Sequence, residues 1–215
     1  MHKFRKDPIS KRVLLQKTVL RKAAKLNFMS RYKDFLFTRA VILANFAVYY
    51  FVWSHGGITG ENLIEYGANF RPLVLEGEWW RLLTCMFLHA SLIHIGANMY
   101  SLWSLGRMME SLAGVKWTIT IYFVSGVLAS LVSVLYHQEP VVGIGASGAI
   151  FGLFGAFSSL VIRRKVMSMG GQVLGLKSLL APLMINFAIS FMPEIDMSAH
   201  LGGFVFGAIL GFLIK

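Results

Sequence analysis

The stretch Gly143–Gly152, GIGASGAIFG, carries one hydroxyl, that of Ser147, among residues that are otherwise small or apolar. Gly148 and Gly152 stand four apart, the spacing of a small-residue face that lets helices approach closely in lipid. Ser147 is therefore either part of a packing face or a nucleophile. The packing reading needs a membrane bundle around it. The nucleophile reading also needs a base, donors for an oxyanion and access to water.

Composition supplies the bundle. The 215 residues make one domain by length, 56% of them are hydrophobic, and the mean hydropathy is +0.62, too apolar for an ordinary soluble domain. Six apolar stretches, each near the ~20 residues a bilayer requires, run approximately Phe35–Trp53, Leu82–Leu105, Trp117–Tyr136, Gly145–Ile162, Val173–Met192 and Ser198–Ile214. The expected fold is all-α, a compact polytopic bundle of six transmembrane helices. A single cysteine, Cys85, excludes an internal disulfide and a cysteine-based zinc site. No metal or nucleotide motif occurs, so neither metal nor cofactor is expected.

The net charge of +11 is unevenly placed. Residues 1–40 hold 12 of the 21 Lys and Arg, with only Asp7 and Asp34 as acids. A basic arm before a first span reads as a cytoplasmic anchor rather than a nucleic-acid site. It is not a secretory signal, since no small-residue cleavage site follows the first apolar run. A mitochondrial presequence is the competing reading, but the arm is Lys-rich and Ser-poor. With the N-terminus in the cytoplasm, Arg107, Lys116, Arg163, Arg164, Lys165, Lys177 and Lys215 also fall inside, leaving only Arg71 and Arg81 outside. That bias sets the orientation. Both termini are expected in the cytoplasm, with residues 1–34 as the arm and 35–215 as the six-helix domain. The expected location is a bacterial plasma membrane.

The longest loop, Ser54 to Arg81, contains GANFRPLVLEGEWWR (Gly67–Arg81). It is too short for a domain and too apolar for a linker, so a partly membrane-embedded structure on the outer face is expected. Trp79 and Trp80 suit an interfacial belt.

Polar groups inside spans are costly and mark candidate sites. The second span contains HASLIHIGANMYSLW, with His94 and Asn98 on one helix face. The sixth contains SAHLGGFVFGAILG, with His200 near its outer end. A second helix starting at Leu82 would sink His94 about 18 Å below that end. The better reading starts it near Ser91, with Leu82–Leu88 in the embedded loop. His94, Asn98, Ser147 and His200 then share one level. Gly203, Gly207 and Gly211 repeat every four residues on span six, so the packing that joins spans four and six would also join Ser147 to His200.

The chemistry is complementary. A serine hydroxyl needs a base to take its proton, and neutral His200 could serve and then protonate a leaving amine. An oxyanion needs donors, and the Asn98 amide, the His94 ring and the orphan backbone N–H of Ser147 at a helix start could supply them. The glycines beside Ser147, including Gly145, permit close substrate approach. His89 reads as a structural hydrogen-bonder. Asp196, four residues before His200, reads as a helix cap rather than a third catalytic group. GASGA is not the nucleophile elbow of soluble hydrolases, since Ala149 replaces the second glycine and no strand precedes it.

From about Trp79 to Gly211 the chain resembles the rhomboid family of intramembrane serine proteases. The motifs that carry the resemblance are EWWRLLT, HASLIHIGAN, GASGAIFG and AHLGGFVFG. The resemblance implies that Ser147 is the nucleophile and His200 the base. It implies that His94 and Asn98 help form the oxyanion hole, that Trp80 and Arg81 are the outer-loop pair, and that Phe151 stacks near the base. It implies the six-span form with no seventh span after Lys215, and transmembrane substrates cut near the outer face, with a small residue at the cut and helix breakers nearby. No catalytic position departs from the pattern. Two other functions compete: a non-cutting factor that binds membrane helices, and a transporter. A transporter would spread polar groups through both leaflets, whereas here they cluster in one.

Overall fold

The computed structural model describes residues 35–163 and 196–214. The basic arm, the expected fifth span at Val173–Met192, the cluster Arg164–Lys165 and Lys215 lie outside the described residues. What is described is mostly helical. Helix α1 spans Leu36–Ser54; α2 (Gly60–Glu65), strand β1 (Asn69–Phe70), α3 (Arg71–Leu75), α4 (Arg81–Thr84) and a 3-10 turn (Cys85–Phe87) follow. Then come α5 (Leu92–Tyr136), β2 (Val142–Gly143), α6 (Ser147–Ile162) and α7 (Met197–Leu213). Helices α1 and α5 are long and apolar enough to cross a bilayer, and α6 and α7 are shorter apolar helices.

The second long helix starts at Leu92, with Ser91 as its cap: the Ser91 hydroxyl accepts from the His94 N–H at 3.1 Å. Sequence alone suggests a charged loop between Leu105 and Trp117. The structure instead continues the helix to 113 and breaks it only at Gly114, whose φ of 83° suits glycine. Contacts support the extra turns. The Arg107 guanidinium lies over the Trp103 and Phe35 rings at 4.3 and 4.9 Å, and Glu110 accepts from the Thr38 N–H at 2.9 Å and hydroxyl at 2.5 Å, capping α1. The two arms of α5 fold back on each other. His94 in the first arm lies beside Gly145, and Val132 in the second lies beside Gly202, so both ends reach the level where α6 and α7 begin.

Polarity is distributed inside out. Thr38, Asn45, Ser101, Thr118, Ser125 and Ser159 are buried, while Leu43, Tyr50, Leu92, Ile93, Leu135, Ile162 and Leu201 are exposed. Lipid makes that arrangement favourable, because polar groups satisfy one another inside and apolar side chains face hydrocarbon. The Ser125 hydroxyl donates to the Ile121 carbonyl at 2.5 Å, and the Ser159 hydroxyl donates across to Ala208 on α7 at 2.8 Å.

The tightest packing joins α6 to α7. A Cβ on Gly203 would strike the Gly148 carbonyl, one on Gly207 the Gly152 carbonyl, and one on Gly211 the Ala156 backbone. The three pairs keep one constant offset in sequence, so the helices run parallel with backbone against backbone.

Gly207→Leu should lower Tm, because overpacking typically costs about 1–3 kcal/mol and here the obstacle is main chain. Gly96→Ala is the control, since a Cβ there meets nothing within 4 Å. Its Tm should stay level or rise slightly. Thermal unfolding in detergent checks both, and an unchanged midpoint for Gly207→Leu would remove this contact from the fold.

Candidate active site

The segment between α1 and α5 is built around a buried cation. The Arg81 side chain donates to the Ile64 carbonyl at 2.5 Å and the Ala68 carbonyl at 3.2 Å, and pairs with Glu78 at 2.6 Å. Its guanidinium covers the Trp80 ring at 4.6 Å, while Trp79 and Trp80 stay half exposed. Trp80 and Arg81 therefore shape this segment and do not line the cavity that holds Ser147. Strand β1 pairs antiparallel with β2, Asn69 opposite Gly143 and Phe70 opposite Val142. The loop thereby fixes the segment leading into Ser147. A second tie is the Gly145 N–H, which donates to the Cys85 carbonyl at 2.9 Å.

Gly145 has φ +112°, and a Cβ there would lie 2.9 Å from His94 Nε2. Only glycine combines that backbone with that proximity. The turn delivers Ser147 to the first position of α6, where backbone N–H groups lack intrahelical acceptors.

His200 Nε2 lies 2.7 Å from Ser147 Oγ. The Phe151 ring stacks on the imidazole at 4.5 Å and 18° between planes, which fixes the ring's tilt. Both Ser147 and His200 border a cavity of about 400 Å³, which His94 also lines. The Ala90 N–H points at His94 Nδ1 at 3.5 Å, a weak contact that makes Nδ1 the acceptor. In the neutral ring the proton then sits on Nε2, facing Gly145. Asn98 is one turn deeper and buried. Its amide donates to the His94 carbonyl at 3.0 Å, it does not line the cavity, and its Oδ1 meets no partner among the described residues. The structure thus brings Ser147, His200, His94, Gly145 and Phe151 together and holds Asn98 behind His94. Gly203 and Gly207 act at a distance, by closing α7 onto α6.

His89 is buried against the edge of the His94 ring, centroids 5.0 Å apart, with the Phe87 backbone as its hydrogen-bonding neighbour. The ring serves as packing against His94.

Asp196 caps α7. Its Oδ1 accepts from the Ser198 N–H (2.9 Å), the Ser198 hydroxyl (2.5 Å) and the Ala199 N–H (3.2 Å), and lies 3.0 Å from His137 Nε2. Burial pushes the carboxyl upward, but Ser133, Ser198, His137 and the Ala199 N–H outweigh it and hold it below the usual carboxylate range. The sign follows: a depressed folded-state value stabilises the fold at neutral pH, and that contribution fades as pH falls through the carboxylate range. Sequence could point to the cap. Nothing local marked His137 as its partner, 59 residues away, or Asn69 as a lining residue, because both arrive through tertiary packing.

Residues 76–215 match the Rhomboid domain family model. RHOMBOID-like protein 5 of Arabidopsis thaliana is 40% identical over 153 residues, which is 71% of this chain and 49% of that protein. Rhomboid protease GluP of Bacillus subtilis is 33% identical over 173 residues, 80% of this chain and 33% of that protein. Inactive RHOMBOID-like protein 8 of Arabidopsis thaliana is 34% identical over 139 residues, 65% of this chain and 39% of that protein. The chain spans between a third and a half of the length of these relatives. They support an integral membrane protein. Because they are mainly plant proteins, they do not support the expected bacterial plasma membrane.

Asp196→Ala should lower Tm by the loss of a cap, about 1 kcal/mol, whereas Asp196→Asn should stay close to the parent because asparagine caps about as well. Equal losses in the two variants, read by thermal unfolding at pH 7, would show that the charge rather than the cap matters.

Proposed function

This chain belongs to the rhomboid family, and we propose that it is an intramembrane serine protease that cuts transmembrane substrates near the outer face with Ser147 and His200. The observation that carries this reading is the 2.7 Å approach of His200 Nε2 to Ser147 Oγ inside a shared cavity.

In the proposed mechanism His200 takes the hydroxyl proton as Ser147 Oγ attacks the scissile carbonyl. The negative charge develops on the carbonyl oxygen, toward the Ser147 N–H and the His94 Nε2–H. Asn98 acts from behind His94, where its amide holds the His94 carbonyl and so the segment whose ring faces the oxyanion. His200 then gives its proton to the leaving amine, and a water activated by the same imidazole releases the acyl group. A peptide bond inside a helix is shielded, so the substrate must unwind locally to reach Ser147. That requirement is why helix-breaking residues near the cut are expected. Asp196 stays outside this chemistry, since four donors occupy its Oδ1.

The six-span arrangement with cytoplasmic termini, the arm at 1–34 and the domain at 35–215 belong to the same proposal. The parallel run of α6 and α7 supports it, because a chain that leaves one inner end must cross back before the next helix starts at the outer level. The bilayer and transmembrane proteins are the proposed partners. The second reading is a non-cutting relative that binds membrane helices, and it is favoured by a relative whose name says it is inactive.

Purified full-length protein, incubated with a model transmembrane substrate, separates the two readings. The parent should cut one bond near the outer end. Ser147→Ala and His200→Ala should each abolish turnover without moving Tm. Cutting by Ser147→Ala at the same bond would overturn the mechanism, and a folded parent that cuts nothing would favour the non-cutting reading. Asn98→Ala should lower kcat by up to about 10²-fold, as for one oxyanion donor, with apparent affinity little changed. A change confined to KM would move Asn98 from the reaction to packing.

A further inference from the structure

The wall of the cavity that holds Ser147 contains a polar group with no role in the chemistry above. Asn69, on β1, is 3% exposed and lines that cavity. Its Nδ2 donates to the Ser130 carbonyl at 2.9 Å. This bond sets the orientation of the amide, because the flipped amide would place one oxygen against another. Its Oδ1 then has no hydrogen-bond partner among the described residues. The neighbouring hydroxyl does not help, since Ser130 Oγ already donates to the Gly126 carbonyl at 3.1 Å and lies 3.2 Å from Cys85 Sγ.

A buried acceptor left unpaired is expensive, so such atoms are met by water or by a ligand. The position of Asn69 shows which ligand group could reach it. Its backbone is paired with Gly143, four residues before Ser147, so the amide is rigidly tied to the segment that presents the hydroxyl. Met86, Gly126 and Ala129 line the same cavity and add small or flexible apolar surface. The space therefore suits a short side chain, mostly apolar in its walls, with one fixed acceptor. Asp196 also lines this cavity, one turn before His200, and Ser133 adds to the partners of its carboxylate. Its carboxylate charge is already shared by the helix start and His137.

We propose that Asn69 determines specificity: its Oδ1 accepts a hydrogen bond from a short, uncharged, donor-bearing side chain of the substrate residue on the acyl side of the cleaved bond. The substrate class is then transmembrane segments with serine, threonine or asparagine at that position, favoured over apolar residues of the same shape. This inference rests on the protease reading above.

The test uses purified full-length protein and one model transmembrane substrate varied only at that residue. The pairs are Thr against Val and Asn against Leu, which match in shape and differ in the donor, with Ala as reference and Lys as the cationic arm. The quantity read is the ratio of kcat/KM within each pair, measured in one preparation, so that loss of folded protein cancels. The parent should prefer the donor-bearing member by about tenfold, the range of one buried hydrogen bond. In Asn69→Leu the ratio should fall to near one. In Ser130→Ala it should persist, because Asn69 uses the Ser130 carbonyl and not its hydroxyl. A parent ratio near one overturns the inference even if Asn69→Leu does not fold, and so does a ratio that survives in Asn69→Leu. A preference for Lys over every neutral residue also overturns it, and would make Asp196 the reader. If the Ala substrate is cut while no donor preference appears, only this inference fails. If no substrate is cut by folded parent, the protease reading fails and this inference with it.

Discussion

The contact on which the rest of the structure depends is the backbone-to-backbone packing of α6 and α7. Gly148, Gly152 and Ala156 lie against Gly203, Gly207 and Gly211 at one constant offset. Along this seam main-chain atoms of one helix meet main-chain atoms of the other, so their separation is set by backbone, which cannot adjust by changing rotamer. Ser147 begins one helix and His200 lies in the first turn of the other, and the seam holds them at 2.7 Å. In lipid there is no hydrophobic drive between helices, and close van der Waals approach of small residues replaces it. The same glycines that make the pair possible therefore make it rigid.

A second constraint comes from outside the bundle. The turn at Gly145 would be under-determined if it relied on α6 alone. It is held by the β1–β2 pairing and by the Cys85 carbonyl, and both belong to the segment that Arg81 organises. Arg81 can be buried because two carbonyls and Glu78 satisfy it together. The segment between α1 and α5 is thus a template, and the Arg81 cation shapes the approach to Ser147 without touching it. Arg71 extends the template to the second arm of α5, where it donates to the Val134 carbonyl at 3.1 Å.

Helix ends in this protein are finished across long sequence distances. Glu110 caps α1 from the middle of α5. Asp196 caps α7 and at the same time bonds His137, just past the end of α5. Each such cap satisfies orphan groups that would be costly near hydrocarbon, and each couples two helices. The cap on α7 therefore steadies the helix that carries His200, although its carboxylate takes no part in the proposed proton transfers.

The sequence by itself determined the class of the fold and the identity of the candidate groups. The length and apolarity of the runs called for membrane helices, the four-residue glycine repeats marked the faces that meet, and Ser147, His200, His94 and Asn98 stood out because polar residues are rare at such depth. The start of the second long helix near Ser91 and Asp196 as the cap of α7 were legible as well, since helix starts carry local signals. Tertiary structure alone decided what depends on residues far apart in the chain. It continued α5 past Leu105 to the single break at Gly114, because Arg107 and Glu110 found partners on and before α1. It set Asn98 behind His94 rather than at the cavity wall, and brought Asn69 to the wall of the cavity that holds Ser147. Periodicity and motif spacing report which face a residue occupies on its own helix. Which partner meets that face, and at what depth, depends on the relative placement of whole helices, and backbone contact at the glycine seam sets that placement.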